Sequence, residues 1–192
     1  MTKPRTIEEL QQWVFDHAND GLINGQSPFE SGTYEYRQGI VPGDLYDAAL
    51  LMGAVLSLNK SQIVTHSFLL FLSSEAFTLI QKDLVQVDSF GEARSEFRGY
   101  VPVEIYKLIQ NFQMTTGLTN SEVMTISLEI FTTNCALCRI YDAKLKPIEL
   151  AYGLEREEIE QKIFDGWRLA ARQKRLKQSL DAGVLISDRK LS

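Results

Sequence analysis

Laid against itself at an offset of 60 residues, the chain repeats. Residues 36–71 and 96–131 agree without a gap at nine positions: Gly39/Gly99, Val41/Val101, Pro42/Pro102, Tyr46/Tyr106, Leu58/Leu118, Ser61/Ser121, Thr65/Thr125, Ser67/Ser127 and Phe71/Phe131. Average composition would give about two by chance in such a window. Asp44/Glu104, Leu45/Ile105, Ile63/Val123, Val64/Met124 and Leu70/Ile130 keep the same register. A chain built this way must fold as two similar units, and each unit is short for a core of its own.

Each copy reads the same way locally. A short extended segment ends at Val41-Pro42 or Val101-Pro102, where proline disfavours a helical residue before it and can open a helix after it. Asp44 and Glu104 then fall in a first helical turn, where the helix dipole favours acids. Leu45, Ala49 and Met52, and Ile105, Ile109 and Phe112, recur at helical spacing. The helix breaks near Ser57 or Gly117. A second helix begins at Asn59-Lys60-Ser61 or Thr119-Asn120-Ser121, with Asn59 and Thr119 as N-caps and Thr119 with Glu122 as a capping box. Ile63, Val64, Ser67, Leu70 and Phe71, matched by Val123, Met124, Ser127, Ile130 and Phe131, form its apolar side.

Strand, helix, break and helix in this order and spacing resemble the ribbon-helix-helix family of DNA-binding proteins, of the Arc, MetJ and CopG type. In that family two chains pair their strands into an antiparallel ribbon over four interlocked helices. Here one chain carries both halves. The resemblance implies a mainly α fold with a small two-stranded antiparallel ribbon: a tandem, single-chain pseudo-dimer flanked by N- and C-terminal helices. Residues 36–41 would pair with 97–101, and a linker from about 74 to 93 would cross between the halves. The organisation expected is an N-terminal helix (6–20) and loop over 1–33, the duplicated core over 34–138, and a helical extension over 139–192.

The resemblance also implies a partner, double-stranded DNA, read by outward strand side chains in the major groove while the second helix's N-terminus holds a phosphate. By spacing, the outward residues are Tyr36, Gln38 and Ile40, and Glu96, Arg98 and Tyr100. Arg98 suits guanine and Gln38 adenine. The phosphate positions are Asn59, Lys60 and Ser61, and Thr119, Asn120 and Ser121. The inward set would then be Arg37, Gly39 and Val41 against Phe97, Gly99 and Val101, which puts an arginine and two glycines where the family prefers apolar residues. A one-residue bulge, which glycine commonly marks, would instead pair Tyr36 with Phe97 and Arg37 with Arg98 and make Arg37 the groove residue. Both registers stand on the sequence alone.

The net charge of −5 is unevenly spread: residues 1–138 hold eight basic and sixteen acidic side chains, residues 139–192 twelve and nine. The acidic majority argues against indiscriminate nucleic-acid binding. The basic stretch Arg168, Arg172, Lys174, Arg175 and Lys177 offers an auxiliary patch, and the helix around Trp167 offers a surface for self-association on DNA or for a protein partner. Cys135 and Cys138, two cysteines in 192 residues, are too few for a disulfide scaffold, and their spacing continues a helix, so structural thiols are expected. His17 and His66 lack partners at ligand spacing. No nucleophile with its base, phosphate loop or paired carboxylates appear, so no enzyme, cofactor or metal is expected. No apolar run spans a membrane and no secretory signal is visible, which points to a cytoplasmic protein. The expected role is a sequence-specific transcriptional or plasmid/mobile-element accessory regulator. A protein-interaction scaffold that has lost DNA reading is the alternative.

Overall fold

The structure, a computed structural model, describes residues 33–81 and 94–181. The helix expected over 6–20 and most of the loop after it lie outside the described residues. The element order is β1 (Tyr34–Pro42), α1 (Gly43–Val55), α2 (Lys60–Leu72), α3 (Glu75–Gln81), β2 (Arg94–Pro102), α4 (Val103–Thr116), α5 (Asn120–Thr133), α6 (Cys135–Tyr152) and α7 (Arg156–Asp181). The described chain is mainly helical with one small two-stranded antiparallel sheet.

The repeated residues build the same joints twice. Pro42 and Pro102 have the same backbone angles, φ −53 with ψ 142 and 141, and each turns a strand directly into a helix. The first helix of each copy ends in the left-handed region, at Ser57 (φ 62) and Gly117 (φ 75). Asn59 with Gln62, and Thr119 with Glu122, then close complete capping boxes. Ser67 and Ser127 are fully buried because each hydroxyl donates to the carbonyl one turn back, Ile63 at 2.7 Å and Val123 at 2.6 Å.

Packing is exchanged between the copies. β1 lies on α5 and β2 on α2, while α2 and α5 pack against each other beneath the sheet. Neither unit buries its apolar residues alone, and the shared core includes Ile63, Val64, Phe68, Phe71, Phe97, Ile105, Phe112, Met124, Leu128 and Phe131. The stretch expected to be a plain linker contributes too. Its helix α3 sends Phe77 and Ile80 into the core, and Phe77 meets Phe112 at 4.9 Å and Phe71 at 5.6 Å between ring centroids.

The C-terminal helices break the two-fold pattern. Val55, Leu145 and Ile159 form a second buried cluster with Leu51, Ile148 and Ile163, so α6 and α7 cover the outer side of α1. The sequence explains the choice of copy: Leu51 and Val55 of α1 correspond to Asn111 and Thr115 of α4. Arg156 binds Asp142 at 2.7 Å and Glu149 at 3.0 Å, tying the start of α7 to α6. Tyr141 donates to Glu160 at 2.8 Å, and burial together with that bond raises its pKa. Cys135 and Cys138 open a new helix instead of continuing one. The Asn134 side chain caps it by accepting from the amides of Ala136 and Leu137, leaving Cys135 exposed and Cys138 half-buried.

Candidate nucleic-acid interface

The strand register is regular: Tyr36 pairs with Tyr100, Arg37 with Gly99, Gln38 with Arg98, Gly39 with Phe97 and Ile40 with Glu96. There is no bulge. Even-numbered positions face outward, and Tyr34, Tyr36, Gln38, Ile40, Glu96, Arg98 and Tyr100 are all exposed. Gln38 and Arg98 stand opposite each other at the middle of this face. The rings of Tyr36 and Tyr100 meet edge to face at 5.6 Å, and Arg98 lies 3.9 Å from Glu96 in a solvent-exposed pair.

The inward glycines replace the expected apolar residues because the helix beneath comes too close for a side chain. A Cβ on Gly39 would sit 2.8 Å from Met124 Cβ and 3.0 Å from the Asn120 carbonyl; one on Gly99 would sit 2.9 Å from Ser61 Cα. At the same contacts the amides of Ile40 and Tyr100 donate to the hydroxyls of Ser121 and Ser61, each at 3.0 Å. Each strand is thereby bonded to the N-terminus of the second helix of the other copy.

Arg37, the groove residue of the bulged register, instead points inward and is 7% exposed, out of reach of a base. Its guanidinium lies 4.1 Å from the centre of the Tyr106 ring and donates to the Asn120 side chain. Burial lowers its pKa, an effect the nearby Tyr106 opposes, and a guanidinium remains charged. The equivalent site around Tyr46 solves the same problem with the cation moved from strand to helix. Phe97 stands in place of Arg37, and Lys60 in place of Asn120. Lys60 lies 4.9 Å from the centre of the Tyr46 ring and donates to its hydroxyl at 2.8 Å. Each of the two repeated tyrosines thus carries one cation, both cations being supplied by the first copy. Exchanging the arrangement tests this: Arg37→Phe alone is expected to cost about 2 kcal/mol in urea unfolding, and adding Asn120→Lys to recover at least half of it. Simple additivity of the two changes would show that the two halves are not equivalent.

The proposed phosphate positions all lie at the two helix N-termini flanking the sheet, with their side chains engaged within the protein. Asn59 and Thr119 cap, Ser61 and Ser121 hold the strands, Lys60 rests on Tyr46, and Asn120 accepts from Arg37 and from Gln113 at 3.0 Å. Glu122 accepts from the Thr119 amide at 2.7 Å, which places a carboxylate at that end of α5. Of the basic stretch, Arg168, Arg172 and Lys177 are exposed on α7, and Lys174 and Arg175 belong to the same helix. Trp167 serves the chain internally: it is half-buried and donates to the Leu58 carbonyl at 3.2 Å. Sequence reasoning passed over Tyr34 on the outer face and the repeated pair Tyr46/Tyr106 beneath it. The signal for that pair was present, since it is among the nine identities.

No family model, curated protein or solved structure matches this chain. Among the described residues no group of three or more His, Cys, Asp or Glu is placed to hold a metal ion, and no single helix is long and apolar enough to cross a membrane.

Proposed function

We propose that the duplicated core is a single-chain ribbon-helix-helix pseudo-dimer and that the protein is a regulator binding double-stranded DNA through the outer face of its ribbon. The observation that carries this reading is the placement of Gln38 and Arg98, exposed and opposite each other at the centre of a two-stranded ribbon that both copies brace from below. A ribbon of this width enters the major groove, where arginine suits guanine O6 and N7 and glutamine suits adenine N6 and N7. The Tyr36–Tyr100 pair lies on one side of Gln38 and Arg98, and Ile40 with Glu96 on the other. Because the two strands carry different residues, the sequence read is not a palindrome.

A second reading rests on the apolar share of the same face. Tyr34, Tyr36, Ile40 and Tyr100 are large and exposed together, as at a protein-docking surface. Selection from a random duplex pool separates the two. The DNA reading expects enrichment of one short asymmetric motif, and Arg98→Ala is expected to lose about 2 kcal/mol of discrimination at one base pair while the circular dichroism stays unchanged. No duplex retained even at low salt would overturn DNA binding in favour of a protein partner.

A further inference from the structure

We infer that the second half of α7 is a one-sided basic arm that contacts DNA phosphates beyond one end of the ribbon's site. This inference rests on the DNA-binding reading above. α7 changes character at Trp167. Before it, Ile159, Ile163 and Phe164 pack on the core and the charges are mostly acidic, with Glu157, Glu158, Glu160 and Asp165. After it come Arg168, Arg172, Lys174, Arg175 and Lys177, with no acid before Asp181. Every side chain described in that stretch, among them Arg168, Leu169, Ala170, Arg172 and Lys177, is exposed.

The helix dipole does not account for these cations. It acts within the last turn, and the last turn of α7 has no basic residue and ends on Asp181. The start of the arm is fixed by geometry. Trp167 is bonded to Leu58, the residue before Asn59, which caps the helix whose first turn touches the ribbon at Gly99 and Tyr100. From Trp167 to Lys177 the helix rises about 15 Å, so the charges extend that far from an anchor that adjoins the cap of the ribbon-bracing helix. Among the described residues the second copy has no such arm, and Asn111 and Thr115 replace the apolar residues on which α6 and α7 dock.

The test uses the full chain and the duplex enriched from the random pool. Substituting Arg168, Arg172, Lys174, Arg175 and Lys177 together by glutamine keeps helix propensity, and unchanged emission in a Trp13→Phe background, where Trp167 is the one remaining tryptophan, confirms docking. Hydroxyl-radical footprinting of the wild type is expected to show backbone protection extended on one flank only. In the variant that extension disappears, affinity falls roughly 10- to 100-fold, and the slope of log K against log salt falls by about 3 to 4, with the enriched motif unchanged. A symmetric wild-type footprint, or a variant with the wild-type slope and footprint, overturns the arm and leaves base reading standing. A variant that loses the flank while Arg98→Ala leaves the motif intact supports the arm and overturns the ribbon as reader. No binding by the wild type overturns both.

Discussion

Gly39→Ala and Gly99→Ala are each expected to destabilise the protein by about 3 kcal/mol, lowering its thermal midpoint by roughly 10 °C. The sign is not obvious in advance. Neither glycine has a positive φ, and at an unstrained position alanine commonly stabilises by about 0.4 to 1 kcal/mol through the unfolded chain. The neighbours reverse it. The new methyl of Gly39→Ala meets Met124 Cβ at 2.8 Å and the Asn120 carbonyl at 3.0 Å; that of Gly99→Ala meets Ser61 Cα at 2.9 Å. These are main-chain atoms or the first side-chain atom, so no rotamer change relieves the overlap. The strand must lift off the helix, and the serine bonds to the amides of Ile40 and Tyr100 lengthen with it. Gly166→Ala is the control. It lies within α7 with nothing within 4 Å of a new Cβ, and is expected to stabilise by about 0.5 to 1 kcal/mol. Urea midpoints of the three variants decide the matter. Neutral or stabilising effects at Gly39 and Gly99 would mean that the strands do not rest on the helix N-termini.

The same contacts explain what was legible in the sequence. The helices were, because their signals are local: Pro42 and Pro102 set the strand-to-helix joints, and the capping residues lie three apart. The strand register was not, because what decides it is remote. Arg37 is tolerated on the inner face by Tyr106 and Asn120, supplied by the other copy 69 and 83 positions along the chain, and nothing near Arg37 announces them. The glycines invited a bulge for the same reason, since a glycine that makes room for another helix and a glycine that kinks a strand look alike in one dimension. The side on which the C-terminal helices dock was written in the repeat itself. Leu51 and Val55 against Asn111 and Thr115 mark α1 as apolar on its outer side and α4 as not, a contrast that shows only when the copies are compared for their differences. For the candidate interface, alternation alone placed Gln38 and Arg98 outward, whereas the internal duties of Ser61, Ser121 and Lys60 depend on the exchanged packing.

That packing also buries a histidine where the other copy has isoleucine. His66 of α2, matched by Ile126 of α5, is 2% exposed, and its Nδ1 has no hydrogen-bond partner among the described residues. Burial pushes its pKa down from 6.5 to about 4, because the charged imidazolium would lose its water without gaining a counter-charge. In the unfolded chain the group titrates near its ordinary value. Between those two values the unfolded state therefore binds more protons than the native state, and stability falls as the pH is lowered through this window. Above about pH 6.5 the full stability is present. The slope approaches about 1.4 kcal/mol per pH unit, and the loss reaches about 3 kcal/mol by pH 4. His66→Ile supplies the comparison, since it installs the residue that the repeat already accepts at position 126. Carboxylates titrate equally in both proteins, so the difference between their urea stabilities at pH 7 and at about pH 5 isolates the imidazole. Wild type is expected to lose about 2 kcal/mol more than the variant over that interval. Equal losses would show that His66 takes up its proton inside the fold at an ordinary pH, and that the crossing of α2 and α5 is open enough to hydrate it.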